Sequence, residues 1–269
     1  LGRGCAQFAC RAAPQRTVAA LRRDVRIDGH RLETLRITGA EPTIVLLHEG
    51  LGSLDLWRDL PQEIARRTGR SVLAYSRYGY GNSDPFAEPR QPDYMHHEAC
   101  VVLSELLAAF AIVRPVLVGH SDGASIALIY AGAHDVAALV VIAPHVFVEP
   151  VTLEAIAQAR ASYETAGLRE RLARRHRDVD ATFYGWNDIW LDARFRAWNI
   201  EHVLAGICVP VLMIQGDADA YGTFAQLDAI RAVVSNTTSL IVPRAGHSPQ
   251  WDAPEAVTAA IVAFARGVG

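Results

Sequence analysis

Short continuous apolar runs, separated by stretches with helical spacing, recur along this chain, and few architectures can bury them. The runs fall at residues 43–48, 71–76, 115–119, 138–143, 210–215 and 239–242. A strand that is apolar on both faces belongs in a parallel sheet covered by helices on both sides. The intervening segments 57–67, 94–110 and 122–132 have helical periodicity, and a last helix spans 254–266 with Pro254 in its first turn. Two alternating segments, 24–28 and 31–38, flank Gly29-His30 and read as an N-terminal hairpin. The rhythm breaks at 150–204, where only helical spacing remains. A helical insertion at that point is expected to form a lid over the sheet's C-terminal edge, where open α/β sheets bind ligands. The expected organisation is an extension at 1–20, disordered; a core at 21–145 and 206–269; and a lid at 146–205.

A chain of 269 residues, 51% of them hydrophobic, fits one large domain or a domain with an insertion. The net charge of -3, without a basic stripe, argues against nucleic acid, and the apolar runs are too short to span a bilayer. The expected partner is a small-molecule substrate. All 26 basic residues are arginine. Without lysine there is no Schiff base, no phosphate-loop lysine and no Ser-Lys dyad. Cys5, Cys10, Cys100 and Cys208 do not form a disulfide framework, so free thiols in a cytoplasmic protein are expected. Residues 1–20 carry three arginines and no acid, and lack the apolar core of a signal peptide.

The central motif is Gly119-His120-Ser121-Asp122-Gly123, which directly follows one apolar run and directly precedes a helix. A Gly-x-Ser-x-Gly elbow needs that context. Turning from strand to helix within one residue strains the serine backbone, and the flanking glycines make room for the neighbouring chain. The serine then stands at a helix N-terminus, which favours developing negative charge. As an isolated pentapeptide the motif reads equally as a Gly/Ser turn; its position between strand and helix favours a nucleophile.

A serine nucleophile needs a base, and the base needs an orienting carboxylate, which on this architecture follow in the order Ser, Asp or Glu, His. The run at 210–215 leads into Gly216-Asp217-Ala218-Asp219, and the run at 239–242 into Pro243-Arg244-Ala245-Gly246-His247. Of ten histidines, only His247 lies on a loop after a strand and after the acid. His145 also follows a strand but precedes the acid. The others, His120 beside the nucleophile included, read as surface or satisfied structural residues. Asp217 and Asp219 both compete for the orienting role. Oxyanion donors are expected from the backbone of Asp122 and from the loop His48-Glu49-Gly50-Leu51-Gly52-Ser53, with Gly50 the donor expected there and Glu49 the other candidate.

With the His48 loop, the turn Arg77-Tyr78-Gly79-Tyr80-Gly81-Asn82-Ser83, the Ser121 elbow, the aspartate loop and Gly246-His247, the chain resembles the α/β-hydrolase superfamily over residues 24–266. The resemblance implies an α/β fold with an eight-stranded, mostly parallel sheet, helices on both faces and a helical lid. It implies Ser121, Asp219 and His247 as a catalytic triad, since the acid in such proteins usually lies three residues beyond the glycine; Asp217 then caps its loop. This chain departs from the pattern twice. His48-Glu49 stands where His-Gly is usual, so Glu49 either orients a substrate group or water, or turns outward to pair with an arginine. Ser76 ends its strand where an aspartate is common.

Cofactors and metals are not expected. Gly50-Leu51-Gly52 lacks the third glycine and the distant acid of a dinucleotide fingerprint. His96-His97-Glu98 lacks the zinc-helix spacing. The lid segment holds many aromatic residues. Most should pack it against the body, while Glu49, His145, Trp186, Trp190 and Tyr221 are expected to line the substrate pocket. The run Arg169, Arg171, Arg174, Arg175 and Arg177 reads as a solvated helix face, or less commonly as a site for a carboxylate or coenzyme A tail. The reaction expected is ester hydrolysis through an acyl-enzyme on Ser121. The rivals are a lactonase, a thioesterase, a carbon-carbon bond hydrolase, and a ligand-binding receptor with slow turnover.

Overall fold

In the computed structural model, which describes residues 19–268, the apolar runs pair into one eight-stranded sheet. Its strands are β1 (Ala20–Ile27), β2 (His30–Ile37), β3 (Ala40–Leu47), β4 (Arg70–Tyr75), β5 (Val116–His120), β6 (Ala138–Ile142), β7 (Val211–Gly216) and β8 (Thr237–Val242). They lie in the order β1-β2-β4-β3-β5-β6-β7-β8. The N-terminal hairpin joins antiparallel through β2 to β4, and every other neighbouring pair is parallel. The central strands β5 and β6 are buried at every position, which is why their sequences do not alternate. Strand β8, at the edge, exposes part of one face and reads Thr-Thr-Ser before its apolar end.

The helices are α1 (Leu60–Thr68), α2 (Tyr94–His97), α3 (Ser104–Ala109), α4 (Asp122–Ala133), α5 (Pro150–Thr165), α6 (Leu168–Leu172), α7 (Val179–Leu191), α8 (Ala225–Val233), α9 (Pro249–Asp252) and α10 (Pro254–Arg266). The apolar side chains form two layers, one on each face of the sheet. One joins α4 to the α5–α7 segment, and the other packs against α1 and α10. Helix α4 is apolar all round because it lies between sheet and insertion, with residues Asp122 to Ala131 all buried.

Two expected elements differ, and one helix was not expected. The helix read at 57–67 begins only at Leu60; Leu54–Trp57 is a 3-10 turn, and Arg58 at φ 52° breaks the path between them. The helix read at 94–110 is interrupted by a π-helical turn at Glu98–Leu103. Such a turn holds an extra residue and re-aims the face, and here Glu98 is buried. Helix α8 was not foreseen. The expected extension falls outside the described residues except at its end, where Ala20 already pairs with Ile37. Cys5 and Cys10 lie outside them too, while Cys100 and Cys208 are exposed free thiols. No helix among the described residues is long and apolar enough to cross a membrane.

Candidate active site

Ser121 joins β5 to α4 at φ 52°, ψ -118°, a conformation that side chains rarely adopt. The flanking glycines are required by close packing. A Cβ on Gly119 would lie 2.2 Å from the Gly123 carbonyl oxygen, and one on Gly123 would lie 2.0 Å from that of Leu47. The elbow therefore presses directly against the end of β3, beside the loop that begins at His48.

His247, on the loop after β8, places Nε2 2.9 Å from Ser121 Oγ. Its Nδ1 lies 2.9 Å from both carboxylate oxygens of Asp219, which follows β7. A carboxylate only accepts, so Nδ1 carries the hydrogen and Nε2 is left to accept from the serine hydroxyl. Asp219 is held in turn by the Tyr221 amide at 2.8 Å and the Gln215 side-chain amide at 2.8 Å. Burial pushes the Asp219 carboxyl up, but the His247 hydrogen bond and charge and the Tyr221 amide outweigh it and hold it below the usual carboxylate range. Asp217 instead accepts from the Arg244 backbone N-H at 2.6 Å and turns away from the imidazole.

Gly50 and Asp122 both border the cavity over Ser121. Asp122 is the first residue of α4, so its N-H has no helical acceptor. The Trp186 indole lies against Gly50, where a Cβ would be 2.1 Å from Nε1. The His48 loop is locked from below. His48 Nδ1 donates to the Glu49 carbonyl at 2.7 Å, and its Nε2 accepts from the Arg77 amide at 3.0 Å. Burial keeps this imidazole neutral, well below its ordinary pKa. The fully buried Arg77 guanidinium donates to the Glu49 carbonyl at 2.9 Å and lies 3.7 Å from Asp122 Oδ2.

Of the two paths left open for Glu49, the structure does not show the outward arginine pair, and the side chain borders the cavity. Its carboxylate makes no arginine pair among the described residues, and Oε2 lies 3.3 Å from His120 Nδ1. Burial would push the Glu49 carboxyl up, but the hydrogen bond and charge of His120, with His48, hold it at about 2. His120 is buried and satisfied: its Nε2 donates to the His247 backbone carbonyl at 2.7 Å, bracing the loop that carries the imidazole. Ser76, for its part, donates to Glu33 Oε1 at 2.6 Å, and the same carboxylate takes the Asn82 amide at 2.9 Å. The acid missing from the end of β4 is thus supplied by the neighbouring β2.

The cavity has a volume of about 500 Å³. Glu49, His145, Trp186, Trp190 and Tyr221 all border it. Trp190 Nε1 donates to Asp122 Oδ1 at 3.3 Å, and Tyr94 to Asp122 Oδ2 at 2.7 Å, tying α7 to the elbow. Phe183, Phe195 and Trp198 pack into the core instead. Among the described residues His145 Nδ1 is buried without a hydrogen-bond partner, and burial lowers that imidazole to about 3. Sequence reasoning missed Gln215, Arg77, Arg58 and Trp251. Gln215, a buried amide closing an otherwise apolar strand, was the one with a local sign.

Residues 44–260 match the model of the alpha/beta hydrolase family. The mouse (Mus musculus) sn-1-specific diacylglycerol lipase ABHD11 is 36% identical over 90 residues, a stretch spanning 34% of this chain and only 28% of that protein. A membrane phospholipase A described as a bacterial virulence factor superposes with a TM-score of 0.73 at 22% identity, covering 92% of this chain and 86% of that one. A thermophilic esterase from Thermogutta terrifontis superposes with a TM-score of 0.71 at 18% identity, covering 91% and 98%. At such identities the structural likenesses speak for the fold alone, whereas the family model spans most of the chain: this protein belongs to the alpha/beta hydrolase family.

Proposed function

We propose that the chain is a serine hydrolase that cleaves a carboxylic ester of a small to medium, apolar or aromatic substrate through an acyl-enzyme. One observation carries the reading: a serine hydroxyl on a strained elbow lies 2.9 Å from an imidazole nitrogen whose other nitrogen is held by a buried carboxylate. Ser121 Oγ attacks the ester carbonyl carbon while its proton passes to His247 Nε2. The N-H groups of Gly50 and Asp122 receive the oxyanion. The carbonyl re-forms, the alkoxide leaves with the proton from His247, and a water deprotonated by the same nitrogen releases the acid and restores Ser121. Asp219 fixes the tautomer and stabilises the imidazolium. Helices α5–α7 act as the lid, and Trp186 and Trp190 face the substrate. The names of a diacylglycerol lipase, a phospholipase A and an esterase among the similar proteins agree with an ester as the bond cleaved.

A panel of aryl esters, lactones, thioesters and dienoates, assayed with wild type and Ser121→Ala, tests this. Esters should be turned over best, and the variant should lose at least about 10³-fold in kcat. Full activity in the variant would remove the serine mechanism, and a preference for another class would change the bond assigned.

A further inference from the structure

The cavity over Ser121 is lopsided in charge. Beside the elbow stands the largely buried carboxylate of Glu49, engaged with His120, the residue before Ser121. At the border of the cavity stand four guanidiniums: Arg58, just before α1, and Arg171, Arg174 and Arg175, from the end of α6 and the turn after it. All four residues are exposed, and among the described residues none forms an ion pair. Of the other arginines on the same helical segment, Arg160 is paired with Asp188, Arg169 with Asp180 and Arg194 with Asp192, while Arg177 and Arg196 form no ion pair among the described residues and do not border the cavity. The apolar lining includes Leu56, Ile156, Leu172, Trp186 and Trp190.

A merely solvated arginine run would send its side chains to water on every side. Here Arg171, at the end of α6, and Arg174 and Arg175, in the turn after it, all border the cavity, while Arg169 is paired and Arg177 does not border it. Unpaired like charges around one opening repel each other until a counter-charge arrives, and the guanidinium fork suits a carboxylate or a phosphate. Glu49 sets the direction, since an anion beside Ser121 would meet its carboxylate. We infer that the substrate carries an anionic group, carboxylate or phosphate, separated from the scissile carbonyl by an apolar spacer and seated by Arg171, Arg174 and Arg175 with Arg58. This deepens the ester-hydrolase reading and rests on it for the reaction, though not for the binding.

The test pairs anionic and neutral esters of one shape: 4-nitrophenyl hemiadipate against 4-nitrophenyl hexanoate, and dihexanoyl phosphatidate against dihexanoylglycerol. Calorimetric titration of the Ser121→Ala protein gives the four binding constants, and wild-type kcat/KM is measured for the same compounds. In at least one pair the anion should bind about 10-fold more tightly, as several exposed ion pairs together allow. Which pair does so separates a carboxylate from a phosphate. The ratio should fall toward one in Arg171→Ala/Arg174→Ala/Arg175→Ala and stay unchanged in Arg196→Ala, which removes a charge from the same segment away from the cavity. It should also shrink between about 0.05 and 0.5 M salt. Ratios near one in both pairs, no binding of either anion, or a ratio indifferent to the triple variant would overturn the subsite. A preference in binding with no turnover of any of the four by wild type would keep the subsite and remove the ester-cleaving reading.

Discussion

Ser121, Asp219 and His247 follow β5, β7 and β8, strands whose positions are set by backbone ladders, whereas Trp186, Trp190 and Arg171 stand on helices placed largely by side-chain packing. The first set is fixed to within hydrogen-bond tolerance by a sheet that knows nothing of the substrate. The second can change its side chains without disturbing that sheet. Under the proposed mechanism, the reacting atoms and the selection of what reaches them are carried by separable parts, joined where Trp186 meets Gly50 and Trp190 meets Asp122.

The largest effect expected on that division is in the strand-borne part. Asp219→Asn should lower kcat on an aryl ester by about 10³–10⁴-fold, because the imidazole loses its tautomer and its counter-charge. Asp217→Asn should change it less than about threefold, a difference within the ordinary scatter of surface substitutions. The reverse order in a steady-state assay would mean that the loop is held differently. Next comes the seam. Gly50→Ala should cost up to about 10²-fold by driving Trp186 and the oxyanion loop apart, and Trp186→Ala should recover part of that loss. Additive losses in the double-mutant cycle would show that the two parts are not coupled there.

The smallest effect is on stability. His145 is near 3 when folded against an ordinary 6.5, so it is neutral in both states at pH 7. As pH falls below 6.5 the unfolded chain takes up a proton that the folded one refuses until about 3, and stability drops across that window. His145→Gln should flatten the urea-unfolding free energy between those limits, by up to about 1.4 kcal/mol per pH unit. An unchanged slope would place the acid sensitivity in His48 and His176, which burial also lowers.

The same division governs what could be read from the sequence. Buried strands announce themselves as unbroken apolar runs, and the elbow by its glycines, because backbone constraints act on adjacent residues. Helix α8 was invisible: it is short, half-exposed and opens without a side-chain cap. The Arg77–Asp122 pair, the Glu33–Ser76 bond and the His120 brace join residues 45, 43 and 127 positions apart, and nothing local marks them. The arginine run at 169–177 looks uniform in sequence; only the folded chain separates Arg171, Arg174 and Arg175, which border the cavity, from Arg169 and Arg177, which do not.

The positive φ at Ser121 has a practical corollary. Holding a non-glycine residue in such a conformation costs on the order of 1–3 kcal/mol, which glycine at that position would largely escape. If Ser121 is the proposed nucleophile, a library of variants sorted only for resistance to heat would therefore enrich a change that leaves the molecule sturdier and chemically inert, so any such selection has to be paired with a screen for turnover.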